Sequence, residues 1–540
     1  VVAFAINFVR KPYDKREVLT VVILFLLAIS LRASNLAVVA PYPDEATGML
    51  ESMKVLQNNW NWPKESMWGY PPISHYLRAV SIYLFGFHVE PVRWVSVIAG
   101  SITVVVLYYL GKSVFSKKIG AFAALLLCFS PFHILYSRLS MTEALVLFFM
   151  LTSSYFFWRG HKEKSWKYMC ASGIFMGLAW NTKYIVLAVI PAFVLFMIWV
   201  ERSWRSLIKK NFLIWLATIF LVISPVQLTL LINRANPYWW SLDWMFGPRS
   251  LPQQVSHPFI ELIPRGIRIF IYLSARVGSP WLPWLPAYEF ALVVLFATAF
   301  FHYVHFSLKV RTRESFVTLS FLGPVLFLAV SPVRHSYWFI YSLPFCLIMI
   351  ASFTFRCARS LRITEVRLRG VVKGLKAWSD HLKFFVLMLV FVVIFSNTVI
   401  GVMAPVIDRG EIEGHRLAML YVRDHVCDGD SVAGWWGSLH MYYINLYNIN
   451  VTFVPLEKSS RETSFIRLAE FRLDEQVLRT LKPRFIVIDR QNFDFRFNAT
   501  MKEEVLRNYE IVWFSNPNVG YFWDHETDNQ ILLVLERKSE

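Results

Sequence analysis

Charged residues are scarce in this sequence. Asp, Glu, Lys and Arg make up 17% of its 540 residues, whereas soluble domains contain about a quarter. Hydrophobic residues make up 56%, and the mean hydropathy is +0.44. Apolar runs of near-spanning length recur from about residue 18 to about residue 403. The composition therefore argues against an ordinary soluble enzyme and predicts a polytopic α-helical membrane protein.

Cysteine and glycine-rich motifs are also few. The five cysteines lie in or beside apolar runs, except for Cys427 in the C-terminal part, and they form neither a disulfide framework nor a zinc-binding pattern. Residues 404–540 contain no Gly-rich phosphate-binding loop. The sequence thus gives no sign of a disulfide-stapled domain or of a P-loop nucleotide site.

The positions of the charges explain the net charge of +18 without a nucleic-acid partner. Basic residues lie in short connections between apolar runs, and every second connection is basic. By the positive-inside rule these connections are cytoplasmic, which places the N-terminus in the cytoplasm and the C-terminal part outside. The first apolar run, Val18–Leu31, is expected to be a retained signal-anchor helix. The basic connections are Arg10–Arg16, Lys112–Lys118, Arg159–Lys167, Glu201–Lys210, Lys309–Arg313 and Arg356–Lys383.

The apolar part divides into about eleven predicted transmembrane helices. Together with two long outer loops, 34–90 and 232–285, they form a predicted transmembrane module over residues 1–403. In the first loop, Asp44–Leu56 and Ile73–Phe85 are predicted to be helices that lie in the interface. The predicted spans are 18–33, 92–111, 119–134, 142–158, 168–181, 184–200, 212–231, 286–306, 316–332, 337–355 and 384–403.

Residues 404–540 have a different pattern and are predicted to form a soluble α/β domain outside the membrane. Helix-like runs at Glu411–His425 and Phe465–Leu481 alternate with strand-like runs. The predicted strands are Ser431–Trp435, Val451–Leu456, Arg484–Asp489, Glu510–Phe514 and Gln530–Glu536.

Carboxylates and cations from distant parts of the chain are predicted to meet at the outer membrane surface. Asp44 and Glu45 follow the first span, and Glu143 begins the fourth. Carboxylates suit a general base or a divalent-cation ligand, and Lys or Arg at this depth suits a lipid-linked phosphate. The cations at the same depth are Arg138, Lys183 and Arg334, the last followed by His335 and Tyr337.

Several short motifs give the chain a family resemblance. It is similar to the GT-C membrane glycosyltransferases, and within them to the protein O-mannosyltransferase and lipid A aminoarabinose transferase superfamily, over roughly residues 15–350. The motifs keep their order along the chain and their side of the membrane. They are Pro43-Asp44-Glu45-Ala46, Tyr70-Pro71-Pro72-Ile73, Leu84-Phe85-Gly86, Val92-Arg93, Ser137-Arg138 with Glu143, Gly177-Leu178-Ala179 with Thr182-Lys183-Tyr184, and Arg334 with Tyr337 and Leu343-Pro344.

The resemblance implies an integral cell-membrane enzyme that transfers a sugar from a polyprenyl-phosphate donor to an acceptor hydroxyl on a protein, lipid or glycan, with inversion at the anomeric carbon. It makes Asp44 the favoured base, with Glu45 and Glu143 as further acidic site residues, although relatives often have Asp at the position of Glu143. It implies donor-phosphate contacts, pocket residues and candidate ligands for a divalent cation. These are Arg138, Lys183, Arg334 and Tyr337 for the phosphate, Tyr70 and His75 for the pocket, and Glu143 and His257 for the cation.

Other interpretations of the same residues stay open at this point. A flippase for lipid-linked saccharides would use similar cations, but it favours mid-bilayer charges and repeated halves, which are absent from this sequence. A membrane-anchored receptor or scaffold leaves the acidic pair unexplained. Among single residues, Asp44 and Glu45 suit a helix N-terminus, Glu143 suits an ion pair with Arg138, and Lys183 suits a snorkelling lysine.

Overall fold

The structure is a computed structural model, and its transmembrane part is described over four stretches of chain. These are 14–61 (without 35, 38–40 and 42), 71–232, 299–330 (without 310–311) and 340–368. The C-terminal part is described at 414–434, 437–455, 457–459, 471–473, 478, 480–489, 493, 497, 499–514 and 532–538. The predicted span at 384–403 and the predicted domain boundary at 403–404 lie outside these residues.

The transmembrane part is helical throughout its described length. Polar caps start several helices: the Asp14 carboxylate accepts from the Arg16 amide at 3.1 Å, and Ser130 caps a helix that has Pro131 at its first position. The helices are α1 (Lys15–Ala33), α2 (Pro43–Gln57), α3 (Ile73–Phe85), α4 (Val89–Val114), α5 (Lys117–Cys128), α6 (Pro131–Arg138), α7 (Glu143–Glu163), α8 (Trp166–Trp180), α9 (Ile190–Glu201), α10 (Lys210–Ile232), α11 (299–308), α12 (Thr312–Val330) and α13 (Leu343–Leu368).

Three of the described helical segments are long and apolar enough to cross a membrane: Val89–Val114, Tyr184–Glu201 and Lys210–Thr229. A fourth is added if α5 and α6, which meet at a bend of 62°, form one broken span. The bend interrupts the predicted span 119–134. Another predicted span, 184–200, begins as a 3-10 turn at Tyr184–Ala188 before α9.

Small residues let neighbouring helices of the transmembrane part approach closely. A Cβ atom added at Gly120 of α5 would lie 2.4 Å from the Tyr108 carbonyl oxygen of α4. At Gly177 of α8 it would lie 2.7 Å from the Val222 Cβ of α10. Helices in lipid gain little from apolar contact alone, so this close packing stabilises their association.

Two helices of the first outer loop, α2 and α3, occur where the sequence predicts helices at Asp44–Leu56 and Ile73–Phe85. Pro43 starts α2, where its missing N–H has no partner to lose, and Asp44 and Glu45 occupy the first turn, where the helix dipole favours negative charge. α3 ends at Gly86, whose φ of 88° suits glycine. The two helices pack against each other, and α3 also packs against α4.

The C-terminal part contains a five-stranded mixed sheet in the order β2-β1-β5-β7-β6. β2, β1 and β5 are parallel, whereas β7 is antiparallel to both β5 and β6. The strands and helices of this part are α14 (Gly414–His425), β1 (Ser431–Gly434), α15 (Gly437–Tyr447), β2 (Thr452–Pro455), β3 (Glu457–Ser459), β4 (Phe471–Leu473), β5 (Phe485–Asp489), α16 (Ala499–Asn508), β6 (Tyr509–Phe514) and β7 (Leu532–Arg537).

The five strands of this sheet coincide with the predicted ones to within a few residues. The helix predicted over Phe465–Leu481 is wrong at Phe471–Leu473, which pairs antiparallel with Glu457–Ser459. The β-branched and aromatic content of a three-residue strand is too small to distinguish it from a helix by periodicity.

The C-terminal part packs directly on α2 of the transmembrane part. α15 lies against α2, and a single apolar cluster contains residues from both regions. In this cluster Ala46 and Met49 of α2 meet Met419 of α14 and Tyr442 and Tyr443 of α15. The face of α2 that is turned away from the membrane helices is therefore covered by the C-terminal part.

We expect Met49→Ala to lower the stability of the protein by about 2–5 kcal/mol, because it leaves a cavity where α2 meets the C-terminal helices. The measurement is the apparent melting temperature of the purified protein in detergent. Met441→Ala is the matched control, since Met441 of α15 is 37% exposed. Equal effects of the two substitutions would contradict the packing of α2 against α15.

Candidate active site

A small cavity lies between the ends of several helices, and its wall is polar. Residues of α2 and α3 form one side, and residues around the start of α7 and the end of α8 form the other. Two carboxylates and two cations face it, as expected for a site that handles charged groups. The lining residues are Asp44, Thr47, Gly48, His75, Arg78, Met141, Thr142, Glu143 and Lys183.

Asp44 is the carboxylate that stands alone in this wall. It makes no hydrogen bond or ion pair with any residue that the structure describes. Burial raises the pKa of its carboxyl from 3.8 to about 6; the charges of Glu143 and Glu45 add to the rise, and Lys183 and Arg78 oppose it. A carboxylate with such a pKa is ionised at neutral pH and is basic enough to accept a proton.

Glu45, the neighbour of Asp44, points away from the cavity into a buried ion pair. Its carboxylate accepts from Arg93 Nε at 2.9 Å and from Arg93 Nη2 at 2.7 Å, and the Ser140 amide donates to the same group. Arg93 also donates to the Leu36 carbonyl at 2.6 Å. Glu45 therefore ties α2 to α4 and to the segment before α7.

Glu143 forms a buried ion pair with Lys183, whose ammonium donates to Glu143 Oε1. The side chains are 1% and 10% exposed, respectively. The alternative pair of Glu143 with Arg138 is therefore wrong, because helix α7 directs Glu143 toward the end of α8. The snorkelling interpretation of Lys183 is also wrong, since its side chain lies inside the protein.

Arg78 is a cavity residue that the sequence analysis missed. Its guanidinium donates to Ser140 Oγ at 2.9 Å and to the Ser140 carbonyl at 2.6 Å. A Cβ atom at Gly48 would lie 2.9 Å from Arg78 Nη1, so the glycine leaves room for this side chain in its present position. Arg78 is the one Lys, Arg, Asp or Glu residue of α3, and that signal points to a buried functional charge.

His75 lies in the cavity wall, as the predicted pocket role requires. Its Nδ1 is 3.5 Å from the Gly48 carbonyl oxygen. Burial, together with the nearby Arg78 charge, lowers the pKa of the imidazole to about 3. His75 is therefore neutral at physiological pH and adds no charge to the site.

Arg138 does not line this cavity. Its Nη1 donates to the Arg32 carbonyl at 3.1 Å and to Ser34 Oγ at 3.3 Å, behind the loop that carries Ser140. The remaining predicted site residues, Tyr70, His257, Arg334 and Tyr337, lie outside the described residues. The structure thus brings together Asp44, His75, Glu143 and Lys183 from the predicted set.

The charged groups of the cavity do not fit a divalent cation. A divalent cation is held by carboxylates whose charge no side-chain cation already balances, whereas the two carboxylates of this wall stand with an ammonium and a guanidinium among them. Within the described residues, no group of three or more His, Cys, Asp or Glu side chains is arranged to hold a metal ion.

We expect Asp44→Asn to raise the apparent melting temperature at pH 8 by about 1–3 °C. Folding raises the pKa of Asp44 from 3.8 to about 6, so the free energy of unfolding falls as the pH rises through this window. Asparagine cannot ionise and avoids this loss. The gain should therefore shrink toward zero at pH 4.

Asp430→Asn is the control of opposite sign for that measurement. Burial alone would raise the pKa of Asp430, but the Cys427 amide and the Arg484 guanidinium lower it below its usual value. Its removal should lower the melting temperature at pH 8. A gain for Asp44→Asn that is the same at both pH values would contradict the raised pKa.

Part of the chain matches a known protein family. Residues 70–228 match the family described as dolichyl-phosphate-mannose-protein mannosyltransferase. The chain is also 26% identical over 226 residues to "Putative mannosyltransferase YkcB" of Bacillus subtilis (strain 168), a match that covers 40% of this chain and 30% of that protein. A second protein of the same organism, "Putative mannosyltransferase YycA", is 26% identical over 167 residues, 31% of this chain and 24% of that protein. The chain thus spans less than a third of the length of these relatives.

Solved structures resemble this one over most of its length. ArnT from Cupriavidus metallidurans bound to undecaprenyl phosphate matches with a TM-score of 0.60 and 13% identity, over 95% of this chain and 97% of that one. The archaeal oligosaccharyltransferase AglB from Archaeoglobus fulgidus, in complex with an inhibitory peptide and a dolichol-phosphate, matches with a TM-score of 0.56 and 13% identity, over 95% and 75%. The resemblance expected from the sequence is confirmed: this chain is an integral membrane protein with the GT-C fold of membrane glycosyltransferases.

Proposed function

We propose that this protein transfers a glycosyl group from a polyprenyl-phosphate-linked sugar to an acceptor hydroxyl, with Asp44 as the general base. The observation that carries the proposal is the cavity in which Asp44, a carboxylate without a hydrogen-bond partner among the described residues, faces the cations Arg78 and Lys183. The base and the charge that receives a departing phosphate are thus within one small space. The bound lipid phosphates of ArnT and AglB, which share the fold, support a donor of this chemical class.

The reaction would be one direct displacement at the anomeric carbon. The acceptor hydroxyl loses its proton to Asp44 as its oxygen bonds to that carbon, and the bond from the carbon to the phosphate oxygen breaks. Polyprenyl phosphate leaves with the bonding electrons, and a single displacement inverts the anomeric configuration. The pKa of about 6 lets Asp44 be ionised before the step and still accept a proton during it.

We assign to Arg78 the role of binding the departing phosphate. Its guanidinium is held by Ser140 on one side and lies against Gly48 on the other, so it faces the cavity in a fixed orientation. A guanidinium binds phosphate oxygens in a bidentate fashion, and a preoriented one stabilises the charge that grows on the leaving group. Lys183 also faces this space, but its ammonium is engaged by Glu143.

We assign the other predicted acidic and basic residues to support of the site. Glu45 is fully engaged by Arg93 and Ser140, and it fixes the helix that carries Asp44. Arg138 is engaged by the end of α1. Arg334 and Tyr337 stay predicted donor-phosphate contacts, and Tyr70 stays a predicted pocket residue. The proposal also places the cavity and the C-terminal part on the outer side of the membrane, following the basic connections.

The test of the proposed base is transfer from a panel of labelled polyprenyl-phosphate sugars by protein purified in lipid nanodiscs, with protein, lipid and glycan acceptors. We expect Asp44→Asn to reduce the rate about 10²–10⁴-fold, as for loss of a general base. Asp424→Asn is the matched control, since its side chain is 55% exposed on α14, and it should transfer at the wild-type rate. Equal transfer by Asp44→Asn and wild type would refute Asp44 as the base. Donor binding without any transfer would favour a flippase.

The role of Arg78 makes a separate prediction. Arg78→Gln should reduce kcat about 10²–10³-fold, because it removes charge stabilisation of the leaving phosphate. Arg423→Gln is the matched control at a position that is 44% exposed. Competition by polyprenyl phosphate for the donor should weaken in Arg78→Gln and not in the control. Unchanged inhibition by polyprenyl phosphate would remove Arg78 from the phosphate site.

A further inference from the structure

Lys183 has an unusual position for a lysine at the end of a membrane helix. Its ammonium is buried between two elements and faces a cavity that also contains Asp44 and Glu143. Two carboxylates that face one buried space repel each other, and they ordinarily require a bound cation or a proton to stay there. In this cavity the lysine side chain is part of the same wall.

The backbone holds Lys183 in place from several sides. Its amide donates to the Ala179 carbonyl at 3.0 Å, which closes the last turn of α8. Two residues earlier, the Asn181 side chain donates to the Val222 carbonyl at 2.9 Å, and the Asn181 carbonyl accepts from the Ile73 amide at 3.1 Å. The segment is thus attached to α8, α10 and α3 at once. The backbone at Lys183 is therefore fixed, and the ion pair with Glu143 holds its ammonium at the cavity wall.

Glu143 is equally fixed, because it is the first residue of α7 and its side chain is 1% exposed. A divalent cation that used Asp44 and Glu143 as ligands would meet the Lys183 ammonium, which already contacts Glu143 Oε1. Two positive charges within a few ångströms in a buried site repel strongly. Cation and ammonium are thus alternatives for the same place.

We propose that Lys183 is a built-in cation that occupies, between Glu143 and Asp44, the place a divalent metal ion would take in a carboxylate site. Glu143 anchors the ammonium, and the ammonium supplies the positive charge that lets the carboxylate of Asp44 remain beside it. Lys183 is a positioning residue in this arrangement. The positioning of Asp44 for catalysis rests on the proposed function. The replacement of a metal ion by the Lys183 ammonium does not depend on it.

The experiment measures Mn²⁺ binding by electron paramagnetic resonance and by the Mn²⁺-dependent change in melting temperature. The wild-type protein and Glu143→Gln should bind the same amount of Mn²⁺, because Glu143 is not a metal ligand while Lys183 is present. Lys183→Met, which keeps the apolar stem and removes the charge, should gain one Mn²⁺ per chain and become more stable in its presence. Lys183→Met combined with Glu143→Gln should lose that gain, and Lys183→Arg should behave as the wild type.

Two results would overturn the proposal. One is Mn²⁺ binding by the wild type that Glu143→Gln or Asp44→Asn abolishes, which would mean that these carboxylates bind a metal despite Lys183. The other is a folded Lys183→Met protein that gains no Mn²⁺. If Lys183→Met does not fold, the comparison of Mn²⁺ binding between the wild type and Glu143→Gln still tests the proposal.

A transfer assay with a chelator separates this proposal from the proposed function. Chelator should leave wild-type transfer unchanged and should abolish any transfer that Mn²⁺ restores to Lys183→Met. Loss of wild-type transfer on chelation, with recovery on adding Mn²⁺, would contradict the built-in cation. Absence of transfer under every condition would refute the proposed function, and the Mn²⁺ measurements would still test Lys183.

Discussion

The bidentate ion pair between Glu45 and Arg93 fixes the helix on which the rest of the site depends. Both groups are buried, and each has additional backbone partners, at the Ser140 amide and at the Leu36 carbonyl. A buried pair of this kind is costly to break, because removal of one partner leaves the other charged and desolvated. Since Asp44 is the next residue of the same helix, the pair also determines where Asp44 points. The acid that does no chemistry in our proposal thus orients the one that does.

The cavity combines charges of both signs at a depth where each alone would be unfavourable. Glu143 with Lys183, and Arg78 with Ser140, are arranged so that the polar groups have partners inside the protein. Asp44 is the exception, and its raised pKa reflects that. Carboxyl groups with a strongly raised pKa are typical of sites where a protein needs a base. Such a group lowers the stability of the protein, and the fixed groups around it offset this loss.

The C-terminal part is joined to the candidate site more closely than a separate module would be. Its helices cover the face of α2 opposite the cavity, through Met419, Tyr442 and Tyr443. A change in this packing would move α2, and α2 carries both Asp44 and Glu45. Truncation of residues 404–540 would therefore remove support from the helix of the base.

Much of this architecture follows from the sequence, because it depends on composition and periodicity. The helical membrane class, the two helices at Asp44–Leu56 and Ile73–Phe85 and the five strands of the sheet are all local or additive properties. The short strand at Phe471–Leu473 does not follow from the sequence, because its pairing with Glu457–Ser459 determines it and its own pattern does not.

Only the tertiary structure decided which charges act together. Adjacent residues of a helix point about 100° apart, so the sequence pair Asp44-Glu45 contains no information on which carboxylate faces the cavity. The partner of Glu143 is Lys183, 40 positions away, and not Arg138, five positions away. Arg78 entered the site because Gly48 leaves space for it across two packed helices. The sequence by itself predicted that charges from distant parts of the chain come together. Side-chain direction and packing, which exist only in the folded chain, determined their partners.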